Sequence, residues 1–187
     1  MIAESTRRFL LASARQALAD ELGCGDIVAP AGEAPHDPVL AAPARVFVSW
    51  HLGDRLLGCI GTLQEHDTLL GAVQHFSVQS GMHDPRSGSI DADMLVRARV
   101  DISVLDAPKD LDVVGLPSIE LAIRPFEDGV ILRRGLRRSV FLPVVWHKLP
   151  DRHEFVRALA RKGGIDPDRE GDDVRAQVFA VEEFGEP

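Results

Sequence analysis

Apolar and polar residues alternate along "ARVFVSWHLGDRLLGCIGTL". Val46, Val48, Trp50 and Leu52 fall on one set of positions, and Phe47, Ser49 and His51 on the other. A period of two interrupted by Gly53-Asp54 predicts a β-hairpin. "VRARVDISVL" repeats the pattern, with Val96, Ala98, Val100, Ile102 and Val104 set against Arg97, Arg99, Asp101 and Ser103. This predicts a strand with one core face and one polar face.

Helical spacing appears at three places. Ser5 to Leu22 carries Leu10, Ala14, Ala17 and Leu18, with Ser5 or Thr6 as cap and Gly23 as stop. Thr68 to about Ser80 carries Leu69, Leu70, Val73 and Phe76, and "GMHDPRSGSIDAD" follows as a loop. Asp151 with Glu154 forms a capping box for a third helix, which Gly163-Gly164 ends. From Leu121 the pattern predicts a meander, "LAIRPF", "VILRR" and "RRSVFLP", with turns at Glu127-Asp128-Gly129 and at Gly135. "VRAQVFAVEEF" reads as one closing strand. Strands in hairpins with interspersed helices predict an α+β fold, with a largely antiparallel mixed sheet and flanking helices. The reading is a single domain over 1–187, with a helix and Pro/Gly-rich loop at 1–44 and the core at 45–187.

The 187 residues, 45% hydrophobic and 27% charged, have the balance of a globular domain able to bury a core. A net charge of −8 argues against nonspecific nucleic-acid or anionic-membrane binding. No apolar run is long enough to cross a bilayer, and the polar start of the chain does not resemble a signal peptide. With only Cys24 and Cys59, the chain lacks a disulfide or zinc framework, and a reduced, cytoplasmic setting is expected. No nucleotide-binding glycine loop is present, and the histidines show no metal spacing, so no metal site is expected.

The candidate chemistry centres on "LLGCIGTL". Two glycines inside a strand need a reason, and Gly58 and Gly61 open room beside Cys59 for a ligand or another backbone. A two-residue hairpin loop pairs Cys59 with Val48 and buries it. A three-residue loop pairs it with Ser49, diagonal to His51, where a histidine could activate the thiol. The two-residue loop is the commoner form. In "HDPR", His83 is a candidate acid or base and Arg86 a candidate anion holder, against the alternative that Asp84-Pro85 forms a turn braced by Arg86. "RRGLRR", Arg133 to Arg138, is the one dense basic cluster. It reads as a solvated hairpin tip, or more weakly as an RNA or phosphate site without an aromatic platform.

Six segments in order, "LLGCIGTL", the "HDPR" loop, "VDISVLDAP", "GVILRRGLRRSVFLPVVW", "EFVRALARKGGI" and "VFAVEEF", together resemble the AMMECR family, the AmmeMemoRadiSam system protein A group. The likeness runs from Arg45 to Phe184. It implies an α+β fold of a larger and a smaller lobe, with a cleft lined by the cysteine motif. It also implies association with a Memo-like protein and a radical S-adenosylmethionine protein, and brings no settled reaction or cofactor with it. Leu57 stands where members usually carry arginine, and Ser87 where phenylalanine often follows the arginine.

Two functions remain open from the sequence. In one, Cys59 is nucleophile or redox thiol toward a small-molecule ligand, His83 or His51 carries the proton, and Arg86, Gly58 and Gly61 help to hold the ligand. In the other, the protein is a noncatalytic partner with Cys59 structural.

Overall fold

The computed structural model describes every residue from Met1 to Pro187. In chain order the elements are α1 (Glu4–Glu21), β1 (Arg45–Leu52), β2 (Arg55–Gly61), α2 (Leu69–Met82), α3 (Ala92–Arg97), β3 (Arg99–Leu105), β4 (Lys109–Val114), α4 (Leu116–Ala122), β5 (Gly129–Arg134), β6 (Arg137–Phe141), α5 (Arg152–Lys162), β7 (Arg175–Phe179) and β8 (Val181–Gly185). The fold is α+β. Its strands form two four-stranded sheets, ordered β2-β1-β3-β8 and β4-β7-β5-β6, where the sequence pattern predicts one.

The chain divides into two compact units, Met1–Leu105 with Glu182–Pro187, and Asp106–Val181. In the first, Val46, Val48 and Trp50 of β1 and Val100 and Ile102 of β3 form a core with Leu10, Ala14 and Leu18 of α1 and with Ala72 and Val73 of α2. Trp50 satisfies its indole by donating to Ser77 O at 3.2 Å. α1 is fastened by its basic face. Arg7 pairs with Glu182 at 2.6 Å, and Arg15 donates to Leu95 O and to Ala98 O, each at 2.6 Å, while also pairing with Glu186. The predicted Ser5 or Thr6 cap is not the one used. Ala3 stands at the N-cap without a side-chain bond, and Thr6 turns inward to donate to Asp37 at 2.7 Å.

In the second unit, Trp146 stacks flat on Phe155 with ring centroids 3.6 Å apart, amid Val130, Leu132, Val156, Leu159 and Ala176. Asp151 caps α5 by accepting from Glu154 N at 2.9 Å, as the capping pattern predicts. The buried Asp128 accepts from Arg124 N at 2.8 Å and from its guanidinium at 2.7 Å.

Three elements differ from the pattern. The meander's first strand is absent: Leu116, Ile119 and Ile123 are buried at helical spacing, and Pro117 sits in the first turn of α4 with its φ already set for a helix. Val96 ends up exposed in α3, so the alternating strand begins only at Arg99. The closing stretch is two strands, because after Ala180 the chain leaves the second sheet and β8 joins the first.

Hairpin register is the difference that matters most. The two-residue turn forms, with Gly53 at φ +57° and Leu52 opposite Arg55. His51 then faces Leu56, but Trp50 faces Gly58, so Leu57 is an extra residue. This β-bulge lets Leu57 and Gly58 both turn inward and shifts everything beyond by one. Cys59 therefore pairs with Ser49, not with Val48. The side predicted from a three-residue loop is reached from a two-residue turn.

Gly58 allows α2 to lie against the bulge. A Cβ there would sit 1.9 Å from the carbonyl oxygen of Ser80. Gly58→Ala is expected to lower unfolding stability by about 2–3 kcal/mol, because two backbones must separate. Gly53→Ala, which meets no atom within 4 Å and strains only its positive φ, should cost about 1 kcal/mol. Urea midpoints of the two variants measure the difference, and equal losses would contradict the close packing.

Candidate functional site

Strand β2 lies at the edge of its sheet, so the backbone groups of Cys59 that point away from β1 need partners. The loop after α2 supplies them. Cys59 N–H donates to Asp84 Oδ2 at 2.8 Å, and Cys59 O accepts from Arg86 Nη2 at 2.6 Å. Arg86 also donates from Nε to Asp84 Oδ1 at 2.9 Å and from Nη2 to Asp84 Oδ2 at 2.6 Å, and its backbone N–H reaches Oδ1 at 3.0 Å. Together the two side chains supply what a neighbouring strand would give the backbone of Cys59. The Asp84 carboxylate is 2% exposed, whereas the Arg86 side chain is 66% exposed. Hydrogen bonds from Arg86 hold Asp84 well below the usual carboxylate range; burial opposes this and the Cys59 N–H adds to it.

The side chain of Cys59 lies on the face opposite the core. Cross-strand partners share a face, which places Cys59, Ser49 and Asp101 in one row across three strands. The next row holds Leu56, His51 and Arg99. His51 Nε2 lies 3.2 Å from Asp101 Oδ2, and Arg99 Nη2 lies 3.3 Å from the same oxygen. Gly185 leaves space for this carboxylate, since a Cβ there would come 1.8 Å from Asp101 Oδ1. The His51 and Asp101 side chains are only 24% and 20% exposed. Cys59 is half-buried with a free thiol.

The residues singled out from sequence are thus partly assembled. Cys59 and His51 share the sheet face, and Arg86 grips Cys59 through its backbone. The space at Gly58 is taken by the Ser80 carbonyl, and that at Gly61 by Val46 O and Phe47, 2.2 and 2.4 Å from a built Cβ. Both glycines therefore serve close approach by protein atoms. His83 is exposed and caps α2 through its backbone N–H, and its ring takes no part in the bonds that fix Cys59. Asp101 is a member the sequence reading leaves out; Asp84 enters it only as the turn residue that Arg86 braces, and the structure adds the bond from Cys59 N–H to that braced carboxylate. Asp84 is hidden in an Asp-Pro pair that also signals a simple turn, and Asp101 is one of four polar residues on an alternating face. No group of three or more His, Cys, Asp or Glu side chains is placed to hold a metal ion, and no helix is long and apolar enough to cross a membrane.

The clamp predicts an acid-sensitive fold. Because the folded-state pKa of Asp84 is depressed, its contribution is complete above the unfolded-state value of about 4 and is lost as pH falls from there toward the folded value. Asp84→Asn should unfold at lower urea at neutral pH by about 2–3 kcal/mol. It should also show a shallower loss of stability than the parent between about pH 4 and pH 2. Parallel slopes would show that Asp84 does not carry the acid sensitivity.

Comparison with known proteins places this arrangement. Protein MK0488 of Methanopyrus kandleri is 30% identical over 168 residues, covering 86% of this chain and 78% of its own. A Methanothermobacter thermautotrophicus protein is 31% identical over 128 residues, 66% of this chain and 65% of its own length. The crystal structure of the uncharacterised protein PH0010 from Pyrococcus horikoshii superposes with a TM-score of 0.86 at 27% identity, over 99% of this chain and 93% of that one. The AMMECR1 family model matches residues 11–184, which include the bulged hairpin, the aspartate–arginine clamp and both sheets, and the chain therefore belongs to the AMMECR1 family.

Proposed function

We propose that this protein acts in the cytoplasm on a small electrophilic substrate bound at the open face of the first sheet, with Cys59 as nucleophile. The observation that carries this reading is the His51–Asp101 pair on the same face as the thiol. Asp101 lies 3.2 Å from Nε2, so Nδ1 is the nitrogen assigned to the thiol: it takes the proton as sulfur adds to an electrophilic carbonyl carbon, the C=O π pair moves onto oxygen, and His51 returns the proton to that oxygen. Asp101 holds the ring and offsets the charge it gains. The clamp holds the cysteine backbone on both sides, as a positioned nucleophile needs. His51 supersedes His83 as proton carrier here because only His51 has an orienting carboxylate. Arg86 serves as a brace, since its Nε and Nη2 are taken by Asp84 and Cys59.

A second reading has one observation in its favour. Protein atoms fill the space beside both glycines. On that reading the face docks a protein, of the Memo-like or radical S-adenosylmethionine kind that the sequence resemblance implies, and Cys59 is structural.

Alkylation separates the two. In the folded protein at neutral pH, iodoacetamide should label Cys59 faster than Cys24, as resolved by mass spectrometry. His51→Ala and Asp101→Asn should each slow Cys59 labelling by roughly tenfold or more, within the range a positioned base contributes. Labelling of Cys59 that occurs only on unfolding, or that ignores both substitutions, would exclude the nucleophile and leave the docking reading.

A further inference from the structure

The basic hairpin of the second unit divides its arginines between two faces. Arg134 and Arg137 pair with each other across β5 and β6 and are neutralised. Glu170 lies 2.7 Å from each of them, and Asp173 also takes Arg134. Arg133 and Arg138 form the next cross-strand pair and lie on the other face. Arg133 also pairs with Arg175 on β7. Three arginines therefore stand side by side in one row across β7, β5 and β6, all exposed.

No carboxylate ion-pairs with any of the three. Partial burial first, and then the like charge of Arg133, lower the affinity of the Arg138 guanidinium for its proton. Asp110 on β4 lies one row further along, opposite Gln177, and forms no ion pair with them. Like charges placed directly opposite one another on a sheet are destabilising. The same hairpin uses two acids to quench its other face, so this row is charge left without a counter-ion inside the fold.

We propose that Arg133, Arg138 and Arg175 bind the oligophosphate group of a small molecule. Strands about 4.8 Å apart put the outer two arginines about 10 Å from each other at the backbone. Long side chains can converge from that spacing on two linked phosphates. Planar guanidiniums match phosphate oxygens with paired N–H donors. A polynucleotide fits less well: the chain carries a net charge of −8, and no aromatic side chain stands in the row to stack a base. This site lies in the second unit and does not rest on the reading of Cys59.

The test is calorimetric titration of the full chain at about 0.15 M salt, where diffuse surface attraction is screened. Inorganic pyrophosphate, ATP, orthophosphate and single-stranded RNA are the probes. Pyrophosphate should bind at one site and more tightly than orthophosphate. Arg138→Gln and Arg175→Gln should each weaken it by about tenfold, while Arg152→Gln, an exposed arginine elsewhere in the unit, leaves it unchanged. Equal affinity for pyrophosphate and ATP assigns recognition to the phosphates, and tighter ATP adds a nucleoside; both support the site. Without ligand, Arg138→Gln should melt no lower than the parent, since it relieves repulsion, so lost binding cannot be ascribed to lost folding. Absence of pyrophosphate binding, equal binding to orthophosphate, equal loss in Arg152→Gln, or RNA affinity that rises with length would overturn the proposal.

Discussion

A buried carboxylate at an exposed sheet edge is the interaction on which the first unit turns. Asp84 carries its charge almost out of water, which is tolerable only because Arg86 and two backbone N–H groups surround it. In return it gives β2 the partner that an edge strand lacks. The loop fits there because Gly58 lets the Ser80 carbonyl of α2 come down onto β2, which delivers Asp84 to the level of Cys59. Glycine, helix end, aspartate and arginine are one device. A change in any of them moves the backbone that carries the thiol.

Much of this architecture was legible in the chain. Alternation located β1, β2 and β3, the capping box located α5, and Gly53-Asp54 set the turn. What could not be read was where the period would slip. A bulge is decided by packing, here by the gain from burying Leu57 while Gly58 meets α2, and neither contact leaves a mark in a two-residue pattern. A meander beginning at Leu121 cuts the helical spacing of Leu116, Ile119 and Ile123 in half, which hides α4. The division of "VRAQVFAVEEF" into two strands depends on which sheet receives each half, which is a tertiary fact.

The candidate site was legible in its residue types and not in its geometry. Cys59, His51 and Arg86 stand out from the sequence, but their roles follow from partners far along the chain. Asp101 gives His51 an orientation, and Asp84 turns Arg86 from a hand held out to solvent into a brace. The arginine hairpin shows the same lesson in reverse. Six residues that read as a uniform basic tip split into a quenched face and an unquenched one once Glu170, Asp173 and Arg175 arrive from elsewhere.

Strand β8 reaches the first sheet only after the whole second unit has been laid down. It brings with it Glu182 and Glu186, the carboxylates that hold Arg7 and Arg15 of α1. During synthesis the ion pairs of Arg7 and Arg15 therefore form only once β8 emerges, and β3 keeps an open edge in the meantime. The first unit is long-range in connectivity, although most of its residues are contiguous. The ends of that long loop meet where Asp106 N–H donates to Ala180 O at 3.0 Å, so compaction of the second unit shortens the loop that β8 must close.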